Sequence, residues 1–179
     1  MRMHTATRLV LLLSIAACVG ENTASTAPRG TPAGAGANVS TSLPLSGRCE
    51  TRFDPPPFPL PPVHRQIDTG TCQLSHLGRT EFFAIQEIDF ATGSQVSIEV
   101  AFTAANGDVL RATNVGSSTA SGPLVRFTGT MSFVGGTGRF EHAAGQARLQ
   151  GTANLMTNTA AFTFADGWIS NAPQDRSRQ

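Results

Sequence analysis

The chain has 179 residues, a formal net charge of +1 and 14% charged content, which suits one domain with flanking segments and offers no basic surface for nucleic acid. All 13 Lys/Arg positions are arginine and tyrosine is absent, so Schiff-base chemistry, a lysine base and a tyrosine acid are excluded.

Residues 1–17 read as an export signal. Arg2 and Arg8 give a positive start, and residues 9–15 belong to an apolar run of roughly ten residues, too short to span a bilayer. Ile15-Ala16-Ala17-Cys18 resembles the lipobox of bacterial lipoproteins. That resemblance implies acylation of Cys18 and anchorage on a membrane surface without a spanning helix. The plainer alternative is a cleaved signal followed by an incidental cysteine. Val19 stands where inner-membrane lipoproteins typically carry aspartate, so the resemblance points to the outer membrane and periplasm, with secretion as the alternative.

Residues 18–45 are rich in Ala, Gly, Thr, Ser and Pro, and bury too little apolar surface to offset chain entropy. They read as a flexible tether, and 46–170 as the folded domain. Assigning Cys18 to lipid leaves Cys49 and Cys72 of the three cysteines as a pair. In an exported chain a disulfide is the default, while metal binding through them lacks close ligand spacing. Between them, residues 54–62 hold six prolines, which forbids a ladder strand and favours extended polyproline II. A stiff surface loop and a recognition motif for an aromatic groove both fit that composition.

Short strands follow. Residues 72–77 form the first candidate, then 81–90 with Phe82, Ala84, Ile88 and Phe90 on one face. Val96, Ile98, Val100 and Phe102 alternate with Gln95, Ser97, Glu99 and Thr103, and Asn106-Gly107 signals a hairpin. Residues 109–115 read as a strand and 116–123 as a loop of small polar residues. Val125, Phe127, Met131 and Phe133 share a face, as do Ala147, Leu149 and Ala153. Residues 159–168 close the series with Phe162, Phe164 and Trp168 in register, and 171–179 read as a frayed polar tail. With no sustained helical period, the pattern predicts an all-β, antiparallel closed barrel, because closure removes exposed edges.

The stretch Phe133-Val-Gly-Gly-Thr-Gly-Arg-Phe-Glu-His-Ala-Ala-Gly145 joins two of these strands, and Gly135, Gly136, Gly138 and Gly145 mark the places where the backbone must turn. It meets neither nucleotide-binding template: one needs a lysine, the other a helix after its glycines.

Gly135-Gly-Thr-Gly-Arg-Phe140 followed by Ala143-Ala-Gly145 resembles the signature segment of dirigent proteins and the related allene oxide cyclase barrels. His76-Leu-Gly-Arg79, Ala104-Ala-Asn-Gly-Asp108 and Gly167-Trp-Ile-Ser170 resemble bacterial exported proteins with that barrel. The resemblance spans roughly residues 47–170 and implies an eight-stranded, calycin-like barrel with a central cavity, often assembled as a trimer. It also implies cofactor-free cyclisation or stereochemical guidance of an apolar substrate, functions that do not travel with a fold.

No catalytic constellation emerges from the residues. Gln86 shares a face with Phe82 and Ile88 and points toward a barrel interior, while Glu87 and Asp89 take the other face. Glu87 and Gln86 are weak catalytic candidates, since an inward carboxylate among apolar walls would act as an acid or base. The bland reading of Glu87 is a solvated carboxylate. His64, His76 and His142 show no metal-ligand spacing, no cofactor is implied, and Asp166 with His142 and a serine lacks a nucleophile elbow. The reading is an exported, lipid-anchored barrel that binds a small hydrophobic ligand or serves the envelope. A cyclase or isomerase and a filled structural oligomer are the alternatives.

Overall fold

The computed structural model describes residues 41–171. The expected export signal, Cys18, most of the expected tether and residues 172–179 lie outside them. Eight antiparallel strands run in sequence order: β1 (Thr41–Phe53), β2 (Val63–Leu74), β3 (Gly78–Asp89), β4 (Ser94–Ala104), β5 (Val109–Ser121), β6 (Leu124–Gly136), β7 (Ala144–Asn154) and β8 (Thr159–Asn171). Each pairs with its neighbours in sequence, and β8 returns to β1, so the sheet closes into a barrel as expected. Closure gives every strand two partners and leaves no exposed edge.

Inward faces are mostly apolar and outward faces carry Arg48, Arg52, Arg111, Glu50, Glu81 and many threonines. This is the inverse of a membrane-spanning barrel, which turns an apolar band to lipid. Cys49 and Cys72 face each other across β1 and β2 and are joined by a disulfide, which removes them from the metal-ligand alternative. Closing a loop with a sequence separation of 23 stabilises the fold by about 3 kcal/mol on the chain-entropy account.

Several elements differ from the sequence reading. The barrel starts at Thr41 rather than 46, and Leu45 is fully buried in it. β2 spans Val63–Leu74, where the sequence suggested only a short strand at 72–77. Its inward row is His64, Gln66, Asp68, Gly70, Cys72 and Leu74, so polar residues hide the alternation. Residues 116–121, read as loop, continue β5 and pair with β6. Small side chains suffice there because they face open space rather than core. Finally, Trp168 does not share a face with Phe162 and Phe164: an irregularity near Gly167 shifts the register, turning Trp168 outward and Ile169 inward.

The connections alternate between the two ends of the cylinder. Residues 75–77, 105–108 and 137–143 cross one end, and 54–62, 90–93, 122–123 and 155–158 rim the other. The glycine-rich stretch belongs to the first. Its turn is a short 3-10 helix, Gly138–Phe140, that lays Phe140 under the barrel at 2% exposure. Gly135 and Gly138 take the positive φ expected of them (100° and 54°), whereas Gly136 does not: it abuts the Val109 carbonyl, where a side chain has no room. At Gly138 an added Cβ would also strike the Asp108 carboxylate, which accepts the Arg139 backbone N–H and lies 3.8 Å from the Arg139 Nε.

Candidate functional site: a one-sided cavity in the barrel

The interior is divided in two by a layer of phenylalanines. Phe82 lies 5.3 Å from Phe102 and 5.5 Å from Phe162, and Phe162 lies 5.6 Å from Phe164, mostly edge to face. Below that layer, Leu45, Leu74, Leu77, Leu110, Phe133, Phe140 and Ile169 fill the barrel to its closed end. Above it a cavity of about 240 Å³ opens toward the end carrying the proline loop, whose Pro56 and Leu60 form part of its rim. Phe58, in the same loop, is 99% exposed.

The cavity wall is divided between polar and apolar arcs. Register places Gln66 opposite Gln86, Gln86 opposite Ser97, and Ser97 opposite Asn114, so neighbouring strands β2 to β5 each contribute at least one inward polar side chain. The facing strands β6 to β8 contribute Phe127, Met131, Leu149, Ala153 and Phe162. A bulge in β4 creates half of the polar arc. Ile98 and Glu99 both face outward, so the strand changes face between Ser97 and Val100. Gln95 and Ser97 are therefore buried inside, and Val96 and Ile98 are exposed, which reverses the faces expected from the alternation at the start of this strand. In β5, Asn114 is 5% exposed and its Oδ1 has no hydrogen-bond partner, its side chain lying over Gly129.

Asp68 is the chemical centre of this wall. It sits on the inward face of β2, 3% exposed. The Gln66 Nε2 donates to one carboxylate oxygen at 2.9 Å and the Gln86 Nε2 donates to the other. Burial raises the carboxyl from 3.8 to about 6; the two amide hydrogen bonds pull the other way without cancelling it, and the Asp54 charge adds slightly to the rise. No arginine lines the cavity. The carboxyl can therefore exchange a proton near neutral pH, or accept a hydrogen bond or a cation from a guest.

Gln86 points inward as its face requires and holds Asp68. Glu87 is on the outside, exposed and opposite Arg65, so it takes no part in the cavity. Asp89 also stays outside and caps the β3–β4 turn through the Ala91 and Thr92 N–H groups, which, with the Thr92 hydroxyl, hold its carboxyl below the usual range. His64 is half-buried near the rim, its ring stacked 6.3 Å from that of Phe90. His76 and His142 are exposed in closed-end connections. Asp166 is exposed and lies 3.8 Å from Arg148. Among the described residues no group of three His, Cys, Asp or Glu side chains is placed to hold a metal.

Asp68 escaped the sequence reading because its strand did. The available signal was the row Gln66, Asp68, Gly70, Cys72, Leu74: two of its members are an expected core cystine half and a leucine, so the same parity carries Asp68 inside. No family model, curated protein or solved structure matches this chain.

Proposed function

We propose that this protein is an exported, lipid-anchored barrel that binds a small, largely apolar molecule in its one-sided cavity. The observation that carries this reading is the unfilled half of the barrel, walled by phenylalanines and fitted with one buried carboxylate. At about 240 Å³ the space is just under the roughly 300–1,000 Å³ usual for drug-sized ligands, so it suits a guest of one or two rings. A barrel serving only as structure gains nothing from leaving half its interior open, since each void forfeits packing. Kinship with the allene oxide cyclase and dirigent barrels belongs to this proposal, supported by the eight-stranded closed meander. So does assembly into a homotrimer.

A cavity-filling substitution tests the binding reading. Ala153→Trp places an indole in the space beside Phe127 and Leu149. It is expected to abolish uptake of a neutral aromatic probe such as 2-naphthol, followed by fluorescence, while the thermal transition persists. Undiminished uptake would remove the cavity as the binding site. The anchor is checked separately by membrane fractionation of Cys18→Ser, which should become soluble.

Asp68 favours a second reading, a cofactor-free isomerase or cyclase in which this carboxyl moves a proton on a bound apolar substrate. In that case Asp68→Asn should keep substrate binding and lose turnover.

A further inference from the structure

The polar arc of the cavity holds one carboxylate and no cationic side chain. The Gln66 and Gln86 amide N–H groups that face Asp68 are already donated to it. The carboxylate oxygens each retain acceptor capacity, and the Asn114 Oδ1, buried on the opposite side of the same arc, has no partner at all. No basic side chain among the lining residues balances the carboxylate. A buried negative charge without a counter-charge is costly, and an incoming cation relieves that cost. Across the cavity, the rings of Phe127 and Phe162 stand 6.1 Å apart and present aromatic surface to the same space. Aromatic faces and a carboxylate together suit an ammonium group on an apolar body.

We propose that the cavity selects monocationic amines: the ammonium donates to Asp68, and the apolar body packs on Phe127 and Phe162. This rests on the cavity-binding reading and adds the chemical class of its guest. A neutral guest forms no ion pair with Asp68 and is favoured where that carboxyl is protonated. The two ligand chemistries therefore respond to pH in opposite directions. The titratable groups nearest Asp68 are Asp54, in the β1–β2 loop, and His64, further along the same face of β2. The lining residues from β3 to β8 include none.

The experiment is isothermal titration of the purified protein with 2-phenylethylamine and with 2-phenylethanol, a neutral probe of nearly the same shape. Near pH 8 the amine should bind at least about tenfold more tightly. That preference should shrink near pH 5, where Asp68 takes up its proton, and vanish in Asp68→Asn at either pH. The pH response of the wild-type protein keeps the test decisive even if Asp68→Asn folds poorly. His64→Gln should retain the response; its loss there would transfer the effect to His64 and overturn the assignment. Equal binding of the two probes, or tighter binding of the alcohol, would overturn the amine proposal and leave the cavity reading standing. Failure of both probes and of 2-naphthol would remove the cavity reading along with it.

Discussion

The two ends of this barrel are built from the same eight strands and have opposite characters. At the closed end, the connections carry apolar residues inward: Leu77, Phe140 and Ala143 are all buried beneath the strands. At the open end, large apolar residues of the connections stay at the rim or in solvent, as Leu60 and Phe58 do, and β5, β7 and β8 present the small Ser118, Ala120, Ala153 and Ala160 there. The difference teaches that a small barrel becomes a container when its inward rows taper to small side chains at one rim, with no change in strand number or pairing. Polar residues are tolerated at that end because they face space, and beneath the phenylalanine layer they would face core.

The comparison is sharpened most by Phe102→Ala, which removes a ring with 0% exposure from the packed half. A buried Phe→Ala change costs about 3–5 kcal/mol, and urea denaturation should show a loss of that size. A loss below about 1 kcal/mol would mean that the closed half is not the stabilising half.

Next in size is the cost of Asp68. Its folded-state carboxyl titrates near 6 against 3.8 unfolded, so the folded protein holds a proton in that window that the unfolded chain has released. Stability therefore falls as pH rises from about 4 to about 6 and stays lowered above, by at most about 3 kcal/mol. Asp68→Asn should raise the melting temperature near pH 8 by several degrees and change it little near pH 4, as read by circular dichroism. A variant less stable near pH 8 would contradict the open end as a site kept at the expense of stability.

The smallest effect belongs to Phe127→Ala, on the cavity side of the layer. Phe127 is half-buried, so its removal should cost only about 1–2 kcal/mol while enlarging the cavity and weakening retention of aromatic probes. A cost equal to that of Phe102→Ala would erase the distinction between the halves.

Much of the fold was legible in the sequence. The period of two through β3, β6 and β7 set which side chains face inward, and the Asn106-Gly107 and Gly135–Gly138 signals located two connections where positive φ was needed. The cystine was legible too, from counting cysteines in a chain read as exported. β2 and the second half of β5 were not, because their inward rows hold Gln66, Asp68, Gly116 and Ser118, which imitate loop composition; β1 was missed although Leu45, Cys49 and Phe53 alternate inward, since its start shares the Ser, Thr and Pro of the stretch before it. The faces of β4 and the outward turn of Trp168 were also hidden, since a bulge reverses parity without leaving a mark in composition.

What the sequence by itself determined is the strand alphabet: local alternation and glycine placement act within one segment and need no partner. What only the tertiary structure decided is the site. Gln66, Asp68, Gln86, Ser97 and Asn114 are scattered over four strands, and register and a bulge gather them on one arc of the wall. The physical reason is that desolvation is collective: a carboxyl on an isolated strand is wet, and it becomes a buried, proton-exchanging group only when the cylinder closes around it.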